Sequence, residues 1–159
     1  MITLGNQPVH LEGEQLQVGQ TMPDFITTLN SLEPFDSRTL TGKKVYLSVP
    51  SVDTPVCSME LSRFIQDLNT REDVTCVSVS MDLPFALDRW CQAKQNEKVI
   101  TTSDYKLWDF AKKTGTRIQE NGLLARAVFV VDENNIITHV EYVQEVTCEP
   151  NYQAVYEKL

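Results

Sequence analysis

Pro50, Thr54 and Cys57 stand seven, three and zero positions from a single sulfur, in the stretch VYLSVPSVDTPVCSMELSRFIQDL spanning Val45–Leu68. The apolar, β-branched residues Val45, Tyr46, Leu47 and Val49 predict a buried strand. Pro50 ends it, because proline has no N–H for a ladder. Ser51–Val56 reads as a loop, and Leu61, Phe64, Ile65 and Leu68, at i, i+3, i+4 and i+7, predict an amphipathic helix. Cys57 therefore falls at or just inside the first helical turn. There the unpaired backbone N–H groups and the positive end of the helix dipole favour a thiolate. Thr54 brings a hydroxyl within reach of the sulfur. This is what a nucleophilic cysteine needs, together with partial exposure on a rigid scaffold. The competing reading is an inert core thiol, the common state of a free cysteine.

Arg126 is the second chemical centre. It lies among Leu123, Leu124, Ala125, Ala127 and Val128, in the most apolar run of the chain, Leu123–Val131, which predicts a central strand. A charge in such a run needs a partner. Either Arg126 pairs with one of the 22 acidic residues, or it supports the Cys57 thiolate.

The elements that must position these residues follow from the pattern. Residues 2–18 predict two short strands around Gly5-Asn6-Gln7-Pro8. Phe25–Thr28 and Leu32–Phe35 are strand candidates, and polar Asp36–Lys44 has a helical turn ending at Gly42. Asp73–Met81 is dense in β-branched residues, which predicts a buried strand with Cys76 in the core. Asp82-Leu83-Pro84 breaks it and leads into a helix over Phe85–Lys94, with Ala86, Trp90 and Ala93 on one stripe and Cys91 beside it. Val99–Thr102 predicts a strand, and Asp104 caps a helix over Tyr105–Thr114 stopped by Gly115. After Leu123–Val131, the turn Asp132–Asn135 leads to a hairpin partner, Ile136–Val143, and a last helix spans Tyr152–Lys158. Strand–helix alternation followed by a hairpin and a helix is the order of an α/β, thioredoxin-like fold: a central mixed sheet flanked by helices, in one domain over residues 1–159. The leading hairpin is an N-terminal addition.

Composition narrows the function. A formal net charge of −8 argues against nucleic acid, which needs a basic face. No run approaches the length of a membrane span. The opening residues MITLGNQPVHLEGEQ lack the basic and apolar regions of a secretory signal, which points to the cytoplasm. Cys57, Cys76, Cys91 and Cys148 contain no CxxC pair, and with only His10 and His139 there is no zinc spacing. The missing CxxC disfavours a thioredoxin-type oxidoreductase. A cysteine hydrolase would need a histidine base, for which neither histidine has a context. Redox catalysis, a redox sensor or simple burial remain.

Pro50-Ser51-Val52-Asp53-Thr54-Pro55-Val56-Cys57-Ser58 resembles the peroxidatic motif of the peroxiredoxins, specifically their bacterial thiol peroxidase branch. Pro8–Gly13, Gly19 with Pro23-Asp24-Phe25, Asp82–Ala86, Gly122–Glu133 and Glu149–Tyr152 are similar to landmarks of the same branch, so the resemblance covers essentially the whole chain. It departs at Leu61 and Ile65, where polar Thr and Asn are expected, and at Cys148, which has no counterpart. The resemblance implies a peroxidase for hydrogen peroxide and alkyl hydroperoxides, with Cys57 as the attacking cysteine. Pro50, Thr54 and Arg126 would support it and hold the peroxide. Arg89-Trp90-Cys91 occupies the place of the branch's aromatic–Cys pair, so Cys91 would resolve the intermediate as an intramolecular Cys57–Cys91 disulfide. Thioredoxin would be the reductant and the assembly a homodimer, with no metal, haem or flavin. Asp53 should point away, since a carboxylate beside Cys57 would disfavour the thiolate.

Overall fold

A computed structural model describes residues 1–159. The centre of the fold is β6 (Lys43–Ser48), whose alternating side chains feed two separate cores. Val45 and Leu47, with Val49 beyond the strand, join one core, and Tyr46 joins the other. The chain runs β6, α1 (Pro55–Asp67), β7 (Val74–Ser80), α2 (Pro84–Lys94) and β8 (Val99–Ser103), with β6, β7 and β8 parallel. After α3 (Asp109–Thr114) and a two-residue strand β9 (Arg117–Ile118), β10 (Ala127–Val131) returns antiparallel to the other side of β6. It forms a hairpin with β11 (Ile137–Tyr142), and α4 (Tyr152–Tyr156) follows. Earlier in the chain, β4 (Ile26–Leu29) and β5 (Pro34–Asp36) extend the far edge. The seven-stranded order is β11-β10-β6-β7-β8-β4-β5.

One core packs α1, α2 and α4 on the sheet through Leu61, Phe64, Leu87, Trp90 and Val155. The other packs Phe110 and Ala111 of α3 with Phe25, Phe35 and Phe129. Coverage on both faces explains why Asp73–Met81 reads as dense rather than alternating: Val74 and Cys76 face one core, Val77 and Val79 the other. Cys76 is a core residue, and burial pushes its thiol well above the usual range.

The amino-terminal hairpin is β1 (Ile2–Leu4) with β2 (Gln7–Val9). Its turn is Gly5-Asn6, both with positive φ, so Gln7 and Pro8 belong to the strand rather than to the turn. A further strand, β3 (Leu11–Glu12), pairs with β9.

Several features differ from expectation. The predicted Leu123–Val131 strand splits at Arg126: Ile118 N–H donates to Leu123 O and Ala125 N–H to Thr116 O, so only Ala127–Val131 joins the main sheet. The third helix starts at Asp109, not Tyr105, because Trp108 takes a left-handed φ of 55°. Asp104 still caps it at a distance, its buried carboxylate accepting from Phe110 and Ala111 N–H at 3.2 and 2.8 Å. The buried stripe of α2 is Pro84, Leu87 and Trp90, with Ala86 half-buried and Ala93 exposed. The predicted Gly42-terminated turn is a 3₁₀ turn at Ser37–Thr39.

Candidate active site

Proline at the first turn of α1 lacks an N–H that would be unpaired there anyway, and Thr54 is its N-cap. The helix therefore begins two residues earlier than expected, and Cys57 is inside its first turn. The Thr54 hydroxyl accepts from Cys57 N–H at 3.4 Å and donates to Ser51 O at 2.9 Å. It is thus a cap for the turn that holds the sulfur, and makes no bond to the sulfur itself. Pro50 is buried just after β6. Cys57 is 0% exposed, which differs from the partial exposure expected of a nucleophile. The sulfur lies in the same core as Val49, Val52, Leu87 and Trp90.

Arg126 crosses from the break before β10 to α1. Its Nη2 donates to Cys57 Sγ at 3.2 Å, its Nε to Val146 O at 2.9 Å, and its Nη1 to Glu60 Oε2. One guanidinium is thus both the ion-pair partner of Glu60 and the neighbour of the Cys57 sulfur. Its charge is held more firmly by Glu60 and Cys57, against the opposing effect of burial. Glu60 is fully buried, and burial pushes its carboxyl up to about 7, with Arg126 opposing.

The loop before α1 is fixed from below by Asp82. Its Oδ1 accepts from Ser51 Oγ at 2.6 Å, and its Oδ2 from Val52 N–H at 2.8 Å and Ser80 Oγ at 3.0 Å. Asp82 also precedes the first turn of α2, so one carboxylate joins the Cys57 loop to the base of the Cys91 helix. Two further bonds tie α2 to α1 and to the loop before it. Trp90 Nε1 donates to Ser58 Oγ at 3.0 Å, and Arg89 pairs with Asp53 at 2.8 Å. The Asp53 carboxylate is thereby engaged with Arg89.

Cys91 sits elsewhere on α2, half-buried beside a surface cleft of about 310 Å³. Asn96 and Asn30 point side-chain amides at its sulfur, at 3.4 and 3.6 Å, and Thr101 Oγ1 lies 3.2 Å away. All four cysteines are free thiols, and Cys91 packs against the edge of the core that encloses Cys57. Neither histidine bonds to a cysteine: His10 pairs with Glu120, and the partly buried His139 has an unpartnered Nε2 on β11.

Sequence reasoning missed Glu60, Asp82, Ser58 and the Asn30–Asn96–Thr101 cradle. Glu60 was within reach of a helical projection: it follows Cys57 by three positions and shares the buried face with Leu61 and Phe64. Asp82 reads locally as a strand breaker, and the cradle joins residues up to 71 positions apart, which no local pattern encodes.

This arrangement suits attack by sulfur on an electrophile whose leaving group gains negative charge, since a guanidinium and helix-start N–H groups converge there. Residues 17–156 match the Redoxin family. The chain is 48% identical over 149 residues to the thiol peroxidase of Clostridium acetobutylicum, covering 94% of this chain and 91% of that one. It is 43% identical over 157 residues to the thiol peroxidase of Bacillus subtilis, covering 98% and 94%. Among solved structures, a peroxiredoxin-like protein from Aquifex aeolicus superimposes with a TM-score of 0.90 at 36% identity, over 99% of this chain and 94% of that one. A thiol peroxidase from Chromobacterium violaceum, at 17% identity and a TM-score of 0.91, shares the fold over 98% and 93%.

Proposed function

The chain belongs to the Redoxin family, among its thiol peroxidases, and on that premise we propose that Cys57 reduces peroxides and that Cys91 resolves the product. The observation that carries this reading is Arg126 Nη2 at 3.2 Å from the Cys57 sulfur, at the start of α1. The Cys57 thiolate attacks the terminal oxygen of hydrogen peroxide or an alkyl hydroperoxide. The O–O bond breaks, the sulfur becomes a sulfenic acid, and the departing oxygen takes a proton to leave as water or alcohol. Arg126 and the first-turn N–H groups bear the charge that develops on that oxygen. Thr54, by turning its hydroxyl away from Ser51 O, would add a donor. Pro50, buried just after β6, would line the approach to the sulfur.

Cys91 then attacks the sulfenic sulfur, water leaves, and a Cys57–Cys91 disulfide forms. A dithiol protein, most simply thioredoxin, resets it by exchange. That reductant belongs to the cytoplasm; no helix of the chain is long and apolar enough to cross a membrane. The homodimer has support in exposed apolar side chains just beyond the end of β7, where Phe85 is 67% and Leu83 52% exposed. A second copy is the occupant they suit, and sedimentation of the wild type against Phe85→Glu tests that.

The test of the chemistry is mild peroxide treatment followed by peptide mapping, alongside steady-state peroxide consumption with thioredoxin. Linked Cys57 and Cys91 peptides with turnover support the assignment. Linkage without turnover would make the protein a sensor, and no modification of Cys57 would end the proposal.

A further inference from the structure

We propose that Glu60 is a positioning residue that tunes the nucleophile by competing with Cys57 for the one guanidinium they share. The inference rests on Cys57 as the attacking sulfur. Glu60 follows Cys57 by one helical turn, so both side chains leave the same face of α1. Arg126 joins them, Nη1 on Glu60 Oε2 and Nη2 on Cys57 Sγ. Both acids are fully buried. The other oxygen of the carboxylate, Oε1, is buried with no hydrogen-bond partner.

The groups that face Glu60 from other elements leave this competition unrelieved. Arg126 is the only cation among them. Glu149 and Glu141 repel a charge on Glu60, and its own charge is felt at the half-buried Tyr152 and the buried Cys76. Two buried anions beside one cation are costly, so a charge on one of the two acids disfavours a charge on the other. The first proton lost leaves one negative charge for the two sites to share. An uncharged Glu60 removes the second buried anion and leaves the charge of Arg126 to the sulfur, while Oε2 still accepts from Nη1. The interconversion is a proton transfer within the pair: Cys57 thiol and Glu60 carboxylate become Cys57 thiolate and Glu60 carboxylic acid, with no change in net charge. The position of the carboxyl near 7 makes the uncharged form available around neutrality. Glu60 thus decides how much of the positive charge of Arg126 reaches the nucleophile.

Glu60→Gln keeps the shape and an oxygen for Arg126 Nη1 but cannot ionise. Cys57 alkylation by iodoacetamide, followed by peptide mapping from acid to alkaline pH, reads the competition. The wild type should titrate in a broad, shallow curve. Glu60→Gln should titrate in one steeper step, its midpoint lower by about one pH unit or more, the size of a nearby like-charge effect. An unchanged midpoint in a variant with wild-type circular dichroism overturns the proposal. Should the variant fail to fold, infrared difference spectra of the wild type at neutral pH decide. Alkylating Cys57 frees Arg126 for Glu60, so a protonated-carboxyl band should disappear, and its absence or persistence refutes the competition. Peroxide reactivity is measured separately on the same wild-type samples. A shifted midpoint in Glu60→Gln without any peroxide reaction in the wild type supports the competition while removing the peroxidase reading of Cys57. Rapid peroxide reaction with an unshifted midpoint does the reverse.

Discussion

Arg126 meets two demands with one side chain, and its substitution should show both. Arg126→Ala removes the donor from the Cys57 sulfur, so single-turnover peroxide attack is expected to slow by about tenfold or more. It also strands a buried carboxylate, a loss of about 3–5 kcal/mol when the remaining charge cannot neutralise. Because Glu60 takes up a proton readily, its carboxyl standing at about 7, the loss should be smaller below that pH than above it. Stopped-flow kinetics with denaturant unfolding at two pH values checks the pair of effects; unchanged attack rates would return Arg126 to a structural ion pair. Cys57→Ser should abolish turnover, whereas Cys76→Ser and Cys148→Ser should retain most of it. Cys76 is sealed in the core and Cys148 lies exposed far along the chain, and neither bonds to Arg126.

At the scale of elements, the start of α1 is held by Thr54 within the helix and by Asp82 from the end of β7. Asp82→Asn removes the charge from a group that accepts from Ser51, Val52 and Ser80, and should cost about 1–3 kcal/mol. Because the loop it fixes carries Thr54, peroxide attack should slow more than the melting temperature falls would suggest, a split that single-turnover kinetics beside thermal melts reveals. The second expectation concerns motion. Cys91 begins in its own cradle on α2, while Cys57 is closed in the core, and a disulfide requires Cα atoms about 4.4–6.8 Å apart. Forming it requires local unwinding of the start of α1, of α2, or of both, and the Trp90–Ser58 bond lies between them. Hydrogen exchange should show Ser58–Arg63 and Phe85–Lys94 less protected in the oxidised protein, with Trp90 fluorescence changing in step. Equal protection in both states, with the disulfide verified by mass, would show the sulfurs to be preassembled.

Across the whole molecule, buried acids give the fold a pH signature. Glu60 at about 7 and Asp104 at about 6 are both raised chiefly by burial. A carboxyl raised in the folded state contributes stability that is fully present below its unfolded value, near 4, and is lost as pH rises through the folded one. Glu145 works in the opposite direction. Thr3, Thr147 and the N–H groups of the Gly5-Asn6 turn hold it down to about 2, so its contribution is present above about 4 and fades only in strong acid. The melting temperature should therefore fall between about pH 4.5 and pH 7, and Glu60→Gln should flatten part of that slope. A slope identical in wild type and variant would mean that Glu60 stays charged throughout.

The order of elements, the alternation of helix and strand, Cys57 at a helix start and the buried station of Cys76 are all local properties. Periodicity, proline punctuation and composition carry them, so they were legible in the sequence. The same local logic misplaced Arg126 within a strand, because apolar character alone cannot show that Leu123–Ala125 bonds to Thr116–Ile118 while Ala127–Val131 joins β6. It also began the third helix at Tyr105, because a positive φ at Trp108 is imposed by packing and not by residue type. The partner of Arg126, the clamp of Asp82 on Ser51 and Val52, and the contacts of Asn30 with Cys91 and Thr101 join positions between 30 and 71 residues apart. Only the sheet order that returns β10 to the side of β6 brings Arg126 to α1. The sequence by itself determined which thiol stands at the start of a helix. The tertiary structure decided what shares its charge, because a buried guanidinium must be satisfied by whatever acids the topology delivers to it.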